Sequence, residues 1–433
     1  MNTLPPQFIE NMKKQLPENE WEAFFGVYEN KPYKGVRLNP LKGDKQTLAS
    51  LLPFLDKPVP WEENGFYTEK EKLGGNVFHF AGLFYSQEPS AMCAAPLLDV
   101  QAGERVLDLC SAPGGKGTQL ACKMQGKGLI VLNEPVSSRA KILSQNVERM
   151  GVANAVVCSE LPEKLAERFV GYFDKILVDA PCSGEGMFRK NADEALGEWS
   201  EENVALCAER QARILNAATK MLRAGGRLVY STCTFATAED EGQVCDYLKN
   251  HSEMRLIKQE KLYPHKIAGE GHFAALFEKS GACESLPVRA VKLFVSREAE
   301  RAYREFEKSV FVRAVAKTLH EANGVLYALP DGTFDWKGLQ VLRVGIRLGE
   351  VKNGRFEPNH SLAVCINKEE FKNAVDLSQT DERVEKYLRG ETFEAEGKNG
   401  WCAVCAEGYP LGWGKAVNGT IKNHFPKGLR KMQ

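Results

Sequence analysis

The chain carries no excess of charge of either sign. Its 57 lysines and arginines balance its 57 aspartates and glutamates over 433 residues. Proteins that bind nucleic acid through their overall field are strongly basic, so this balance excludes that mode of binding. Any polyanionic partner has to be bound by a local basic patch.

Long hydrophobic runs are also absent. No stretch is long enough to cross a membrane, and Met1–Lys14 lacks the apolar core followed by small residues that is typical of a secretory signal. We therefore expect a cytoplasmic protein without membrane contact. The 43% hydrophobic content indicates a sizeable core, and the length predicts two or three domains.

Twelve cysteines are present, but they form neither a small-scaffold disulfide framework nor a zinc motif. The close pair Cys402 and Cys405 has no second pair and no histidine pair at zinc spacing. It lies in an alternating, strand-like run, which favours ordinary structural cysteines. We expect no metal ion.

Strand-like and helix-like segments alternate between residues 91 and 300, which predicts an α/β domain. Such alternation is typical of a mostly parallel sheet covered by helices on both faces. Helices are predicted over 137–150, with Ser137 as N-cap and Gly151 as the stop, and over 200–222. The predicted strands are Arg105–Cys110, Gly128–Leu132, Ala155–Cys158, Phe173–Val178 and Arg227–Ser231.

The two flanking regions differ in character from this centre. Residues 1–90 begin with helical spacing of apolar residues, and their basic segment Lys31–Lys45 fits a solvated surface and a nucleic-acid contact equally well. Residues 301–433 contain alternating stretches at 338–345 and 400–405, which predict a small β-rich domain. The tail mixes cations with aromatic residues, which favours RNA binding over a merely solubilising role. These tail residues are Trp413, Lys415, Lys422, His424, Phe425, Lys427, Arg430 and Lys431.

The first predicted strand runs into a glycine-rich turn with the sequence Ala112-Pro113-Gly114-Gly115-Lys116-Gly117. Glycines let the backbone approach a ligand closely, and the following helix offers unpaired N–H groups. The turn has neither the dinucleotide-binding nor the phosphate-loop spacing. Glu134, at the end of the second strand, is placed to bind a ribose diol. A nucleoside ligand without phosphates, such as S-adenosylmethionine, therefore suits the site best.

Two later motifs place Cys182 and Cys233 just beyond predicted strand ends. Carbon 5 of cytosine resists alkylation until a thiolate adds at carbon 6, after which carbon 5 can attack a sulfonium methyl group. A second thiol can assist the later elimination, and Asp179 is placed to stabilise the adduct. Single cysteines are usually buried and inert, but two at adjacent strand ends favour a catalytic interpretation.

These motifs resemble those of the RNA 5-methylcytosine methyltransferases of the Sun/Nop group. The similarity is carried by 108–116, 179–190 and 231–234, and it extends to Gln87–Ser90 and to the tail at 411–415 and 422–427. It implies a Rossmann-like class I methyltransferase domain at 91–300 with a mostly parallel seven-stranded sheet. It also implies an N-terminal RNA-binding extension at 1–90 and a PUA-like RNA-binding domain at 301–433.

The resemblance also implies roles for particular residues. Cys233 is expected to be the nucleophile, Cys182 to assist product release, and Asp179 and Lys116 to face the cytosine. Glu160 stands where the family commonly has an aspartate beside the adenine. The residues expected to border S-adenosylmethionine are Cys110, Ser111, Ala112, Pro113, Gly114, Gly115, Lys116, Glu134, Glu160 and Asp179. The implied substrate is small-subunit ribosomal RNA, and transfer RNA stays open.

Three alternatives have specific features for or against them. A DNA cytosine methyltransferase takes its nucleophile from a Pro-Cys dipeptide, which Pro181-Cys182 matches, but the second cysteine motif and the tail favour RNA. The run Glu202-Asn203-Val204 also mimics such enzymes, but it falls in a predicted helix. A non-catalytic ribosome-assembly factor would not need both cysteines and Asp179. An amino-group methyltransferase would have a different motif after the fourth strand.

Overall fold

A computed structural model gives the architecture and describes residues 4–281, 284–396 and 398–431. The N-terminal region consists of α1 (Pro6–Gln15), α2 (Trp21–Gly26), β1 (Gly35–Leu38), α3 (Lys45–Ser50), β2 (Gly65–Tyr67), α4 (Val77–Phe80) and β3 (Phe84–Ser86). Its three strands form an antiparallel sheet in the order β2-β1-β3.

The central region forms one sheet with helices on both faces. Its elements are α5 (Ala94–Leu98), β4 (Arg105–Asp108), α6 (Gly115–Met124), β5 (Leu129–Asn133), α7 (Ser137–Arg149), β6 (Ala155–Cys158), α8 (Pro162–Arg168), β7 (Phe173–Asp179), α9 (Ala192–Glu198), α10 (Glu201–Met221), β8 (Leu222–Thr232), α11 (Glu241–Asn250), β9 (Met254–Leu262) and β10 (His272–Lys279). Their order is β6-β5-β4-β7-β8-β10-β9. The first five of these strands are parallel to one another, whereas β10 pairs antiparallel with β8 and with β9. The predicted mostly parallel, seven-stranded sheet is confirmed.

Side-chain alternation along each strand explains the two helical layers. In β4, Leu107 belongs to the apolar core on one face, whereas Val106 belongs to the core on the other face. Both residues are fully buried. Successive strand residues point to opposite faces, so a strand covered on both sides has to be apolar at nearly every position.

The start of α7 corrects one prediction. The helix begins at Ser137, but its N-cap is Val136, and the Ser137 side chain makes no capping hydrogen bond. The carboxylate of Glu134 accepts the Val136 N–H at 2.9 Å instead. Gly151 follows the helix with φ +71°, which is the left-handed conformation expected at a helix stop.

The C-terminal region supplies an eighth strand to the central sheet. Its first elements are α12 (Arg297–Val310), β11 (Leu319–Ala322), β12 (Val325–Ala328), β13 (Val341–Val344), β14 (Ile346–Lys352), β15 (Arg355–Pro358) and α13 (His360–Val364). β13 pairs antiparallel with β6, whereas β11, β12, β14 and β15 form a separate sheet. The alternating stretch 338–345, which predicts a strand of the small β-rich domain, forms β13 and pairs with the central sheet instead of with the other strands of the C-terminal region. Val341 and Val344 pack on the central core, where they cover the otherwise open edge of β6.

A five-stranded sheet ends the chain. Its strands are β16 (Ala374–Leu377), β17 (Phe393–Glu394), β18 (Gly400–Ala406), β19 (Tyr409–Val417) and β20 (Thr420–Asn423), in the order β16-β18-β19-β20-β17. The helix α14 (Glu382–Arg389) lies between β16 and β17 in the chain. One of its apolar surfaces packs on the N-terminal region, and Leu38, Phe84, Val404 and Ile421 share a single core. The first and last parts of the chain therefore meet on one side of the central sheet.

Candidate active site

Two thiols lie together at the carboxyl edge of the central sheet. Cys182 follows β7 and Cys233 follows β8, and these neighbouring parallel strands end at the same edge. The two Sγ atoms are 3.3 Å apart, and the N–H of Cys233 donates to Sγ of Cys182 at 3.4 Å. Both residues are only half-buried, so the pair is accessible to a substrate.

The loop after β7, which carries Cys182, and the loop after β8, which carries Cys233, are hydrogen-bonded to each other. We call them the two cysteine loops. The hydroxyls of Ser183 and Thr234 are 2.8 Å apart, and the N–H of Gly186 donates to the carbonyl of Cys233 at 2.9 Å. The buried carboxylate of Glu239 accepts the Ser183 N–H at 3.0 Å and the Gln211 side-chain amide at 2.7 Å. The separation of the two sulfurs is therefore set by the surrounding backbone.

Asp179 and Lys116 form an ion pair beside the thiols. Nζ of Lys116 donates to Oδ2 of Asp179 at 2.9 Å, and the Ser231 hydroxyl donates to Oδ1 at 2.8 Å. Burial opposes ionisation of Asp179, but Lys116, His272 and these hydrogen bonds outweigh it and lower the pKa of the carboxyl. Asp179 is therefore a carboxylate at neutral pH, and it can accept hydrogen bonds from a ligand.

The ionisation of Cys182 is suppressed by its surroundings. The hydrogen bond with Cys233, together with burial, raises the pKa of Cys182 well above its usual value. Cys182 is therefore held as a thiol. This arrangement suits one sulfur acting as a nucleophile and its neighbour acting as a proton donor.

The glycine-rich loop fits a nucleoside cofactor of the S-adenosylmethionine type. Both carboxylate oxygens of Asp108 and the hydroxyl of Ser111 are buried, and in the described part of the chain they have no hydrogen-bond partner. Burial raises the pKa of Asp108 to about 7. A Cβ on Gly117 would stand 2.8 Å from Asp108 Oδ2 and 2.7 Å from a Leu132 methyl, so only glycine lets the helix start this close. Unpaired polar groups beside a helix start are partners for the amino and hydroxyl groups of such a ligand.

The predicted cofactor residues from Cys110 to Lys116 lie in the loop that joins β4 to α6 and in the first turn of α6, but their surroundings differ. The carbonyl of Pro113 already accepts the side-chain amide of Asn146 at 2.9 Å, and Gly115 faces Tyr85 and Gln87 of the N-terminal region. Burial raises the pKa of Cys110 well above its usual value, so that thiol is inert. The contact of the other predicted residues with the cofactor stays a prediction; these are Ser111, Ala112, Gly114 and Lys116.

The two predicted acidic residues at strand ends have different partners. Glu134 is 3% exposed and lies 3.3 Å from the guanidinium of Arg139. Oε1 of Glu160 accepts Nζ of Lys164 at 2.8 Å and the Gln340 N–H at 2.6 Å. Glu160 therefore already holds the segment that leads into β13. Its contact with the adenine stays a prediction.

His272 and Glu239 lie beside the predicted site residues, although no sequence pattern pointed to either of them. His272 begins β10, and its Nε2 lies 3.9 Å from Oδ1 of Asp179. The sequence signal for His272 was a histidine between Gly271 and an apolar run, which predicts a strand start but not a position beside Asp179. Glu239 follows the second cysteine motif by only a few residues, but its contact with Ser183 is a tertiary one that spacing does not reveal.

The aromatic residues of the tail correct another expectation. Trp413 is 1% exposed and donates its indole N–H to the carbonyl of Asn359 at 2.9 Å, and Phe425 is 2% exposed. Both residues belong to apolar cores and are unavailable for stacking on bases. Lys422, His424 and Lys427 are exposed. The basic surface is therefore present, but two of the three aromatic residues have a structural role.

Cys402 and Cys405 are fully buried free thiols in β18, as a structural interpretation requires. Cys283 lies outside the described residues. Within the described ranges, no three histidine, cysteine or acidic side chains are grouped to hold a metal ion. None of the helices seen there has the length and apolar character to cross a membrane.

The sheet order, the glycine-rich loop and the paired thiols are those of a class I S-adenosylmethionine-dependent methyltransferase with a cysteine pair at the carboxyl edge of its sheet. Two curated relatives, both called ribosomal RNA small subunit methyltransferase F, match almost end to end. The protein of Vibrio parahaemolyticus is 31% identical and that of Shewanella piezotolerans 32% identical, each over 98% of this chain and 97% of the relative. The chain belongs to the ribosomal RNA small subunit methyltransferase F family.

Family models and solved structures agree with this assignment. The model described as 16S rRNA methyltransferase RsmB/F matches residues 95–279, and the N-terminal domain of RsmF matches 4–89. The first C-terminal domain of RsmF matches 305–366, and its PUA domain matches 372–431. A methyltransferase homolog from Pyrococcus horikoshii is 27% identical, with a TM-score of 0.56 over 64% of this chain and all of that one. NSun6 from Pyrococcus horikoshii, solved with SFG, is 22% identical with a TM-score of 0.57 over 65% of this chain and 99% of its own, and it shows the shared fold.

Proposed function

We propose that this enzyme transfers a methyl group from S-adenosylmethionine to carbon 5 of a cytosine in small-subunit ribosomal RNA, through a covalent adduct on Cys233. The observation that carries the proposal is the 3.3 Å contact between Cys182 and Cys233 beside the Asp179–Lys116 ion pair. Two thiols and a carboxylate at one sheet edge are what addition to a pyrimidine, and its reversal, require.

The residues act in sequence on the flipped base. Asp179 accepts hydrogen bonds from the amino edge of the cytosine, and Lys116 fixes the orientation of that carboxylate. The Cys233 thiolate adds at carbon 6, which forms an S–C bond and moves an electron pair into the ring. S-adenosylmethionine, when bound by the loop from Cys110 to Lys116 and by Glu134, supplies the electrophilic methyl group.

Cys182 acts after the methyl group has been transferred. Carbon 5 loses its proton to a water molecule, the electron pair of that C–H bond restores the ring double bond, and the bond between carbon 6 and Cys233 breaks. The departing thiolate needs a proton donor nearby, and the Cys182 thiol is 3.3 Å away. Cys182 therefore assists the release of the product. This chemistry uses no metal ion.

The substrate assignment rests on the family and on the flanking regions. Relatives of full length carry the name ribosomal RNA small subunit methyltransferase F, and residues 372–431 match the RsmF PUA domain. In this scheme residues 1–90 and 301–433 flank the methyltransferase domain of residues 91–300 and hold the RNA. The enzyme then works in the cytoplasm, where small ribosomal subunits are assembled.

Bisulfite sequencing tests the substrate directly. Ribosomal and transfer RNA from a deletion strain should lack 5-methylcytosine at one or more positions of the small-subunit RNA. Wild-type enzyme should restore the modification, and Cys233→Ala should not. Loss of methylation in transfer RNA alone would make transfer RNA the substrate and would overturn the ribosomal assignment.

A further inference from the structure

His272 lies on the strand next to β8, which leads into the proposed nucleophile Cys233. β10 and β8 are antiparallel, with Phe273 opposite Thr232 and Ala274 opposite Ser231, so His272 lies one step further along, opposite Cys233. Residues directly opposite each other share a face of the sheet. The side chains of Ser231, Cys233 and His272 thus belong to one face, and the Ser231 hydroxyl already bonds Asp179 on that face.

The imidazole of His272 is buried and has no hydrogen-bond partner. The residue is 1% exposed, and neither ring nitrogen has a partner among the described residues. Buried polar groups in folded proteins almost always have a partner, so two unpaired nitrogens beside a catalytic carboxylate point to a ligand. Burial, together with the positive charge of Lys116, lowers the pKa of His272 to about 3. The ring is therefore neutral, with one N–H donor and one acceptor.

A cavity lies on the face of the sheet that carries His272. It has a volume of about 270 Å³ and is lined by Ala274, two residues along β10, and by Leu262, which pairs with His272 across β9. Trp61 and Cys93 also line it. His272 and the two thiols do not line this cavity, so the base has to enter where the half-buried side chains of Asp179, Cys182 and Cys233 are accessible.

Hydrogen-bond chemistry selects the part of the base that this ring can contact. A carboxylate only accepts hydrogen bonds, so Asp179 suits the amino group at carbon 4. The oxygen at carbon 2 is an acceptor and needs a donor. Addition of the thiolate at carbon 6 moves an electron pair toward nitrogen 3 and this oxygen, which makes the oxygen a stronger acceptor in the adduct. Lys116 is already paired with Asp179.

We propose that an imidazole N–H of His272 donates a hydrogen bond to the oxygen at carbon 2 of the target cytosine. This inference rests on the proposed function. His272 then contacts the substrate and stabilises the adduct more than it stabilises the free base, which is the requirement for accelerating the reaction.

The test measures adduct formation with small-subunit ribosomal RNA transcribed with 5-fluorocytidine, because fluorine blocks the final elimination and the adduct accumulates. His272→Leu removes the donor, and its adduct should form about tenfold more slowly. Its affinity for S-adenosylmethionine should stay within about twofold of wild type. His272→Asn restores an N–H donor and should recover part of the rate. His251→Leu, which removes a half-buried imidazole at the end of α11, is the matched control and should match wild type.

Transcripts in which the target base is 5-fluoro-2-thiocytidine identify the contacted atom, because sulfur is a weaker hydrogen-bond acceptor than oxygen. The thio substitution should slow wild type and leave His272→Leu unaffected. An unchanged adduct rate in His272→Leu, or an equal thio effect in both proteins, would overturn the inference. If His272→Leu fails to fold, His272→Asn and the thio effect in wild type decide the question. A wild-type enzyme that forms no adduct would instead refute the proposed function.

Discussion

At the scale of single residues, the proposed chemistry depends on four side chains that follow three neighbouring strands. Cys182, Cys233, Asp179 and Lys116 come together because β4, β7 and β8 are parallel and end at one edge. The sequence predicted these residues, since each follows an apolar run of strand length. It could not predict His272, because β10 is antiparallel and brings its first residue to the same edge from the opposite chain direction.

Removing the ammonium group of Lys116 should shift the pH dependence of catalysis. Lys116 helps to lower the pKa of Asp179, so Lys116→Met raises that pKa and leaves the carboxylate without its ion-pair partner. Adduct formation should fall about a hundredfold, and its acidic limb should move to higher pH. Lys116→Arg keeps the charge and should retain the wild-type limb. A Lys116→Met profile that superimposes on wild type would show that the ion pair has no role in catalysis.

At the scale of elements, the two cysteine loops act as one unit. The loop after β7 contacts the loop after β8 through Ser183, Thr234 and Gly186, and Glu239 fixes the first of them. The spacing of apolar residues within each segment predicted β7, β8 and α10, because that spacing can be seen in neighbouring residues of the chain. The contacts between the loops depend on tertiary structure, and no local pattern encodes them.

Gly186→Ala should separate these loops. A Cβ at this position would stand 2.8 Å from the carbonyl oxygen of Cys233, so the backbone has to move. We expect methylation to fall about 10- to 100-fold, because displacements of about 1 Å have effects of that size. The affinity for S-adenosylmethionine, measured by calorimetry, should be unchanged. Gly197→Ala is the matched control because nothing lies within 4 Å of its added methyl group. Equal turnover in both variants would contradict the described loop packing.

The strand β13 shows what sequence periodicity leaves undecided. Its alternation correctly predicted a strand, but alternation does not say which sheet a strand joins. β13 pairs with the edge strand β6, and its residue Val344 packs in the central core, which also contains Phe334. The same limit applies to Trp413, whose position among cations suggested stacking on RNA, although the indole fills a core.

At the scale of the whole molecule, the chain interlocks its regions. The C-terminal region adds a strand to the central sheet and shares a core with the N-terminal region. A deletion after about residue 310 would therefore uncover two cores as well as remove the region that matches the PUA domain. Point substitutions on the exposed surface separate RNA binding from folding more cleanly than truncation does.

Charge reversal on the tail should weaken RNA binding without changing stability. Lys422 and Lys427 are exposed, and Lys422→Glu together with Lys427→Glu removes two cations from the basic surface. Affinity for small-subunit RNA should fall, and the slope of log affinity against log salt should decrease by about 1 for each lysine that contacts a phosphate. Lys249→Glu, on α11, is the control. An unchanged affinity and slope would show that RNA binds elsewhere.

Buried histidines should make the fold sensitive to mild acid. Burial lowers the pKa of His360 to about 4, whereas the ring takes up a proton near pH 6.5 when unfolded. Below about pH 6.5 the unfolded chain binds a proton at His360 that the folded protein does not bind. The free energy of unfolding therefore falls progressively from about pH 6.5 down to about pH 4. His360→Phe should remove about 2 kcal/mol of the loss in unfolding free energy between about pH 7.5 and pH 5. Urea unfolding at both pH values measures this, and an identical loss in both proteins would contradict the assignment.

The most direct test of the account is the covalent species formed by Cys182→Ala with small-subunit RNA and S-adenosylmethionine. We expect this variant to accumulate a protein–RNA band that survives denaturing electrophoresis, with the RNA mapped to Cys233 by peptide mass spectrometry. Cys245→Ala, which removes an exposed thiol, should form no such band. A band that appears with Cys233→Ala and maps to Cys182, or no band with either variant, would contradict the assignment of Cys233 as the nucleophile.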